Sequence, residues 1–143
     1  MARIYVSTVI DAPIERVWNK VRNFNGLPSW HPVITDSMIE EGARGDVVGC
    51  VRNFGLEGGG RIREQLVSLS DREYSCTYTI LESPMPLTDY VATLRLYRVT
   101  EGNRTFCEWW AEFECQTDDL PKLREQVGRK TFAAGLEALA RLV

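Results

Sequence analysis

An arginine and a glutamate placed where inward-facing apolar side chains are due are the residues of this sequence best suited to chemistry. Val51-Arg52-Asn53-Phe54 has the two-residue period of a strand, and the face that carries Phe54 also carries Arg52. On the following strand Ile62, Glu64 and Leu66 alternate with Arg61, Arg63 and Gln65, which sets Glu64 among apolar neighbours while the arginines face solvent. Burying two ions costs several kcal/mol even when they pair, and apolar residues would usually serve a core as well. A pair retained there points to use. Arg52 has the planar fork that holds a carboxylate, enolate or other oxyanion, and Glu64 can exchange a proton with a bound molecule. Tyr78 and Tyr90, on later inward faces, could add hydrogen bonds or simply pack. A satisfied ion pair with no chemical role is the competing reading.

The elements that position these residues follow from the same patterning. Ile4 to Ile10 reads as a first strand, stopped at Asp11-Ala12-Pro13, where Asp11 or Ala12 would cap a short helix striped by Ile14, Val17, Trp18 and Val21. Asn23 to Pro32 is a loop that brings Trp30 and His31 to the rim of a pocket. Val33–Glu40 and Asp46–Phe54 read as a strand pair, followed by the soft glycine loop Gly55–Gly60 with Leu56 exposed at its tip. That loop has no Lys-Ser/Thr ending for phosphate and suits a mobile lid, or else a plain hairpin. Tyr78 and Ile80 share an inward face before a stiff second loop, Glu82–Leu87, with Met85 exposed, and Tyr90 to Leu96 continues inward. The last strand, Thr105 to Cys115, turns Trp109 in and Trp110 out, so Trp110 points to a subunit contact in a homodimer. After Asp118-Asp119, Leu120 to Val143 is one long amphipathic helix whose small residues, among them Gly128, Thr131 and Gly135, leave room for a cavity beneath it. Phe54, Leu56, Ile62, Trp109, Val127, Thr131 and Gly135 thereby join the expected ligand-binding set.

Composition narrows the classes. With 143 residues, 44% hydrophobic and 26% charged, the chain fits one domain over 1–143 with a core of its own. A net charge of −3 supplies no basic field for nucleic acid or an anionic membrane, and no apolar run reaches the roughly 20 residues that span a bilayer. An opening strand in place of a basic-then-apolar leader places the protein in the cytoplasm. Its four cysteines lie in strand-like runs without C-x-x-C spacing and with one histidine in the chain, which reads as buried free thiols, with neither zinc nor any other metal or cofactor implied.

The element order gives an α+β fold, a curved seven-stranded antiparallel sheet wrapped around a long C-terminal helix with an internal cavity. In this order, and in the FGLEGG and SPMPL loops with REQLVSLSD, YTI and LTDY between and after them, the chain resembles the START-like (SRPBCC) superfamily: the birch-pollen allergen fold, bacterial polyketide cyclase/dehydrase-like proteins and plant abscisic acid receptors. The resemblance implies a helix-grip fold with gate and latch loops, and puts Glu64, Tyr78, Ile80, Leu87 and Tyr90 on the cavity wall. GCVR and REQL are also similar to the plant lachrymatory-factor synthases, whose cavity arginine and glutamate fall on Arg52 and Glu64. The receptors hold their ligand's carboxylate with a lysine on the second strand, and Val33–Glu40 has none, so a hormone-receptor role is not implied.

The expected function is binding of a small hydrophobic or amphipathic molecule, with a cyclase-, dehydratase- or isomerase-type proton transfer in which Glu64 is the base and Arg52 the oxyanion stabiliser. A carrier or sensor without turnover, and a partner-binding protein with an incidental cavity, are the alternatives.

Overall fold

Period-two patterning sends one side of each strand to a common interior, and the computed structural model, which describes residues 1–143, shows seven strands built on it. These are β1 (Ala2–Ile10), β2 (Ile34–Ile39), β3 (Val51–Leu56), β4 (Arg61–Ser70), β5 (Ser75–Glu82), β6 (Thr88–Val99) and β7 (Arg104–Glu114). They form one antiparallel sheet in the order β1-β7-β6-β5-β4-β3-β2, curved around the C-terminal helix in a helix-grip fold. The inward rows pack into one core of 30 buried side chains, and helix α1 (Ile14–Val21) adds Ile14, Val17, Trp18 and Val21 to it.

Several boundaries differ from the sequence reading. Asp11 does not cap α1. Pro13 occupies the N-cap with extended backbone, and its carbonyl accepts the Arg16 and Val17 amides. The strand expected from Asp46 begins only at Val51, because Gly49 turns the chain at φ +97° and leaves Val47 and Val48 exposed. Conversely, β3 runs on through Gly55 and Leu56, so the glycine loop shrinks to Glu57–Gly60. Gly55 is required by approach, not by φ: a Cβ there would collide with the Asp36 carboxylate on β2.

The C-terminal helix has α-helical ends, Leu120–Leu123 and Ala134–Leu142, around a π-helical stretch, Arg124–Ala133. Its sequence explains the wide turn. Leu123 and Val127 are four apart, as are Phe132 and Leu136, but Val127 and Phe132 are five apart. At about 3.6 residues per turn five steps swing Phe132 off the apolar face, and widening the helix turns it back. Both Val127 and Phe132 are buried.

Trp110 faces out from β7, half-buried, and finds cover within the chain by stacking on Tyr5 of β1 at 6.4 Å between ring centroids. The cysteines are all free, and burial pushes the Cys76 thiol up to about 11 and the Cys107 thiol up to about 12. Native protein at pH 8 should therefore expose only the half-buried Cys115 to a thiol reagent, and denatured protein four thiols. A count of two after denaturation without reductant would mean a disulfide.

Candidate functional site

Arg52 and Glu64 stand directly opposite each other on β3 and β4, which puts both on the concave face at the short spacing of cross-strand pairs. Each is 5% exposed. The Glu64 Oε1 atom accepts the Arg52 Nε–H at 2.8 Å and forms an ion pair with Arg52 Nη2 at 2.7 Å. Arg52 also donates from Nη1 to the Phe24 carbonyl at 3.1 Å. The guanidinium lies 4.0 Å from the Phe24 ring centroid and 4.6 Å from that of Tyr78, so it is sandwiched between π faces as well as paired. Glu64 Oε2, by contrast, takes no hydrogen bond from the chain. Burial pushes the Glu64 carboxyl up and the Arg52 charge opposes it, while the Arg52 guanidinium, despite its own burial, is held protonated by Glu64.

These groups border a cavity of about 40 Å³ between sheet and helix. Of the residues selected from sequence, His31, Phe54, Leu56, Ile62, Tyr78, Ile80, Tyr90, Trp109, Val127 and Thr131 line it with Arg52 and Glu64. Leu27, Val33, Ile34 and Met85 complete the wall. The space is far smaller than the small residues of the helix suggest. It has room for a few waters and no organic molecule. Its outer end is closed by Leu56 and Met85, both half-buried against the core and neither the exposed loop tip that the sequence suggests.

Three expected residues stand elsewhere. Gly135 is behind the site: the room under it is filled by His31 and Trp109, and a Cβ at 135 would lie 2.8 Å from His31 Cδ2. Trp30 does not line the cavity: it packs against both His31 and Trp109, at 5.9 and 6.0 Å between centroids, with its Nε1–H buried and unpartnered. Leu87 lines an outer groove beside β5 and β6 and does not reach the cavity. Phe24 was not selected from sequence, although it contributes both a carbonyl and a ring to Arg52. An aromatic within Asn-Phe-Asn-Gly reads as loop, and only the tertiary fold shows what it covers.

His31 is 2% exposed and locks the loop to the wide part of the helix. Its Nε2 lies 2.7 Å from the Thr131 carbonyl and its Nδ1 receives the Val33 amide at 3.3 Å. A carbonyl only accepts and an amide only donates, so the ring is the neutral Nε2–H tautomer. Burial lowers its pKa, the Thr131 carbonyl works against this, and the nearby Arg52 charge lowers it further. A base whose folded pKa is depressed supports the fold fully above its ordinary value near 6.5 and loses that support as pH falls below it. Urea midpoints should thus fall between pH 7.5 and 5.5 in wild type and stay flatter in His31→Gln, which keeps the donor to Thr131. Equal slopes would remove His31 as the cause.

Trp109 closes the inner end. It stacks on Phe132 with centroids 4.5 Å apart and donates its Nε1–H to the Tyr78 hydroxyl at 3.0 Å. Tyr78 and Tyr90 are buried, and burial raises both phenols well above their ordinary value, so they remain neutral donors.

Over residues 1–143 the sequence matches the family described as polyketide cyclase / dehydrase and lipid transport. The chain belongs to this family. Solved structures similar to this polyketide cyclase / dehydrase and lipid transport family member include the protein XoxI from Bacillus cereus, 31% identical with a TM-score of 0.87 over 99% of this chain and 95% of that one. A protein from Thermobifida fusca is 29% identical, with a TM-score of 0.88 over 98% and 91% of the two chains. Norcoclaurine synthase from Thalictrum flavum, in complex with dopamine and hydroxybenzaldehyde, shares the fold at 14% identity and a TM-score of 0.77, over 99% and 85%. No curated protein matches the chain. No helix is long and apolar enough to cross a membrane.

Proposed function

We propose that this family member takes a small hydrophobic or amphipathic molecule into the Arg52–Glu64 site and transfers a proton on it, with Glu64 as base and Arg52 stabilising the oxygen on which negative charge develops. The observation that carries this reading is the asymmetry of the pair: Oε1 holds Arg52 by a hydrogen bond from Nε and a close ion pair with Nη2, while Oε2 takes no hydrogen bond from the chain. A carboxylate used only to neutralise a buried arginine gains most from satisfying both oxygens. One free oxygen on a carboxyl whose pKa burial has raised is what a general base needs. Guanidinium N–H groups also remain unspent after the Glu64 and Phe24 bonds. Tyr78 and Tyr90 add neutral donors on the same wall.

Binding without turnover is favoured by a different observation, the closed cavity. With Leu56 and Met85 closing one end of a space of about 40 Å³, a guest must displace side chains of the wall and stays enclosed until those side chains move again. Native mass spectrometry of protein purified from its source tests the common part. A co-purifying organic molecule is expected, and its conversion on addition to fresh protein separates enzyme from carrier. Glu64→Gln should retain the molecule and lose at least 100-fold in conversion. Empty protein from the source, with no uptake of the compounds present there, would end both readings.

A further inference from the structure

Resting on the reading that the cavity holds a ligand, we propose that its route to solvent is a gap in the sheet between β5 and β6, and that the groove outside this gap holds the polar end of an amphipathic guest. β5 and β6 pair from Ser75↔Arg95 to Thr79↔Val91 and no further. Past that point β5 stays on β4, with Glu64↔Ile80 and Arg63↔Glu82, while β6 stays on β7, with Thr88↔Glu114. Two irregularities pull the strands apart: a register shift in β6 between Thr88 and Val91, and Asp89 in the left-handed region at φ 53°. The last tie across the gap is the Thr79 hydroxyl on the Tyr90 carbonyl, at 2.6 Å.

An open groove of about 650 Å³ lies along this gap, lined by Arg61, Leu81, Glu82, Ser83, Thr88 and Asp89 together with Ile80 and Tyr90. Ile80 and Tyr90 also line the internal cavity. Two side chains, with no backbone ladder between them, therefore separate inside from outside, and rotamer changes open the way without breaking sheet pairing.

Charge selects the polar end. Arg61 is spent on Asp36 and Asn53, and Glu82 is paired with Arg63, whereas Asp89 makes no ion pair. The groove's unneutralised charge is thus negative. It disfavours an anionic head and favours one that donates hydrogen bonds, such as a polyhydroxyl group, while the apolar tail passes between Ile80 and Tyr90.

Labelling of a cysteine on the cavity wall tests the route without needing a ligand. In Ile62→Cys, modification of position 62 by methyl methanethiosulfonate is followed by peptide mapping, with the fully buried Cys107 reporting global opening. Adding Thr88→Trp or Leu81→Trp, which fill the groove and do not line the cavity, should slow labelling at 62 at least tenfold. Glu57→Trp, at the other loop, should not. Rates that ignore both groove variants, or that track Cys107, overturn the route. In the second arm, octyl glucoside below its micelle concentration should protect position 62 at a concentration at least tenfold lower than octane-1-sulfonate does. Equal protection by both overturns the assignment of the head. Slowed labelling with protection by neither keeps the route, overturns the outer subsite and retires the ligand reading on which it rests.

Discussion

Arg52→Met alone is expected to cost about 3–5 kcal/mol of stability, whereas Arg52→Met combined with Glu64→Leu should return to wild-type stability or exceed it. The single change leaves Glu64, 5% exposed, as an uncompensated acid in an apolar wall, with Oε1 stripped of its hydrogen-bond donor and its counter-ion. It also frees the Phe24 carbonyl and removes a cation from between two rings. The protein can relieve part of this by protonating Glu64, a direction in which burial already pushes it. In the double variant nothing charged remains to desolvate, and the two new side chains fill the volume of the old. Urea unfolding of both variants reads the stability half, and native mass spectrometry the functional half. Recovery of stability with loss of the bound molecule shows that the ions are retained for the guest. A double variant as unstable as the single one, still carrying its ligand, would make the pair a structural element.

The pair was legible in the sequence because a strand has only two faces. Once Phe54, Ile62 and Leu66 fix which face is inward, Arg52 and Glu64 follow, and their adjacency needs only an antiparallel pairing of β3 with β4. The same logic gave Trp109 inward and Trp110 outward on β7, and all seven strands. What the alternation could not carry was depth. Small residues on the terminal helix read as empty space, but volume missing from one element can be supplied by another far away in sequence, and here His31 and Trp109 supply it at Gly135. Leu56 and Met85 read as exposed loop residues because their neighbours are glycine and proline, yet both fold back as the cover of the cavity. The wide turn was readable in principle: the five-residue step from Val127 to Phe132 breaks a pattern of four, and a helix that must bury both residues has to widen.

Gly135→Ala should destabilise the protein by about 2 kcal/mol, although glycine to alanine inside a helix ordinarily gains about 1 kcal/mol. The added methyl would lie 2.8 Å from His31 Cδ2, 3.0 Å from His31 Nε2 and 3.1 Å from Trp109 Cζ3. Neither ring is free to retreat. His31 is fixed at both nitrogens by Thr131 and Val33, and Trp109 is stacked on Phe132 and bonded to Tyr78. Overpacking at such a site costs about 1–3 kcal/mol, and turning His31 away from Thr131 gives up a buried hydrogen bond worth a further 1–3 kcal/mol or so. These losses outweigh the helix gain. The explanation has a signature that a general intolerance of the helix to change would not show. In a His31→Ala background most of the collision disappears while the helix gain persists, so the same Gly135→Ala step should become neutral or stabilising. A double-mutant cycle measured by urea unfolding reads this reversal directly as a coupling of about 2 kcal/mol or more between positions 31 and 135. If Gly135→Ala costs the same with and without the imidazole, glycine is needed at 135 for some reason other than the close approach of His31.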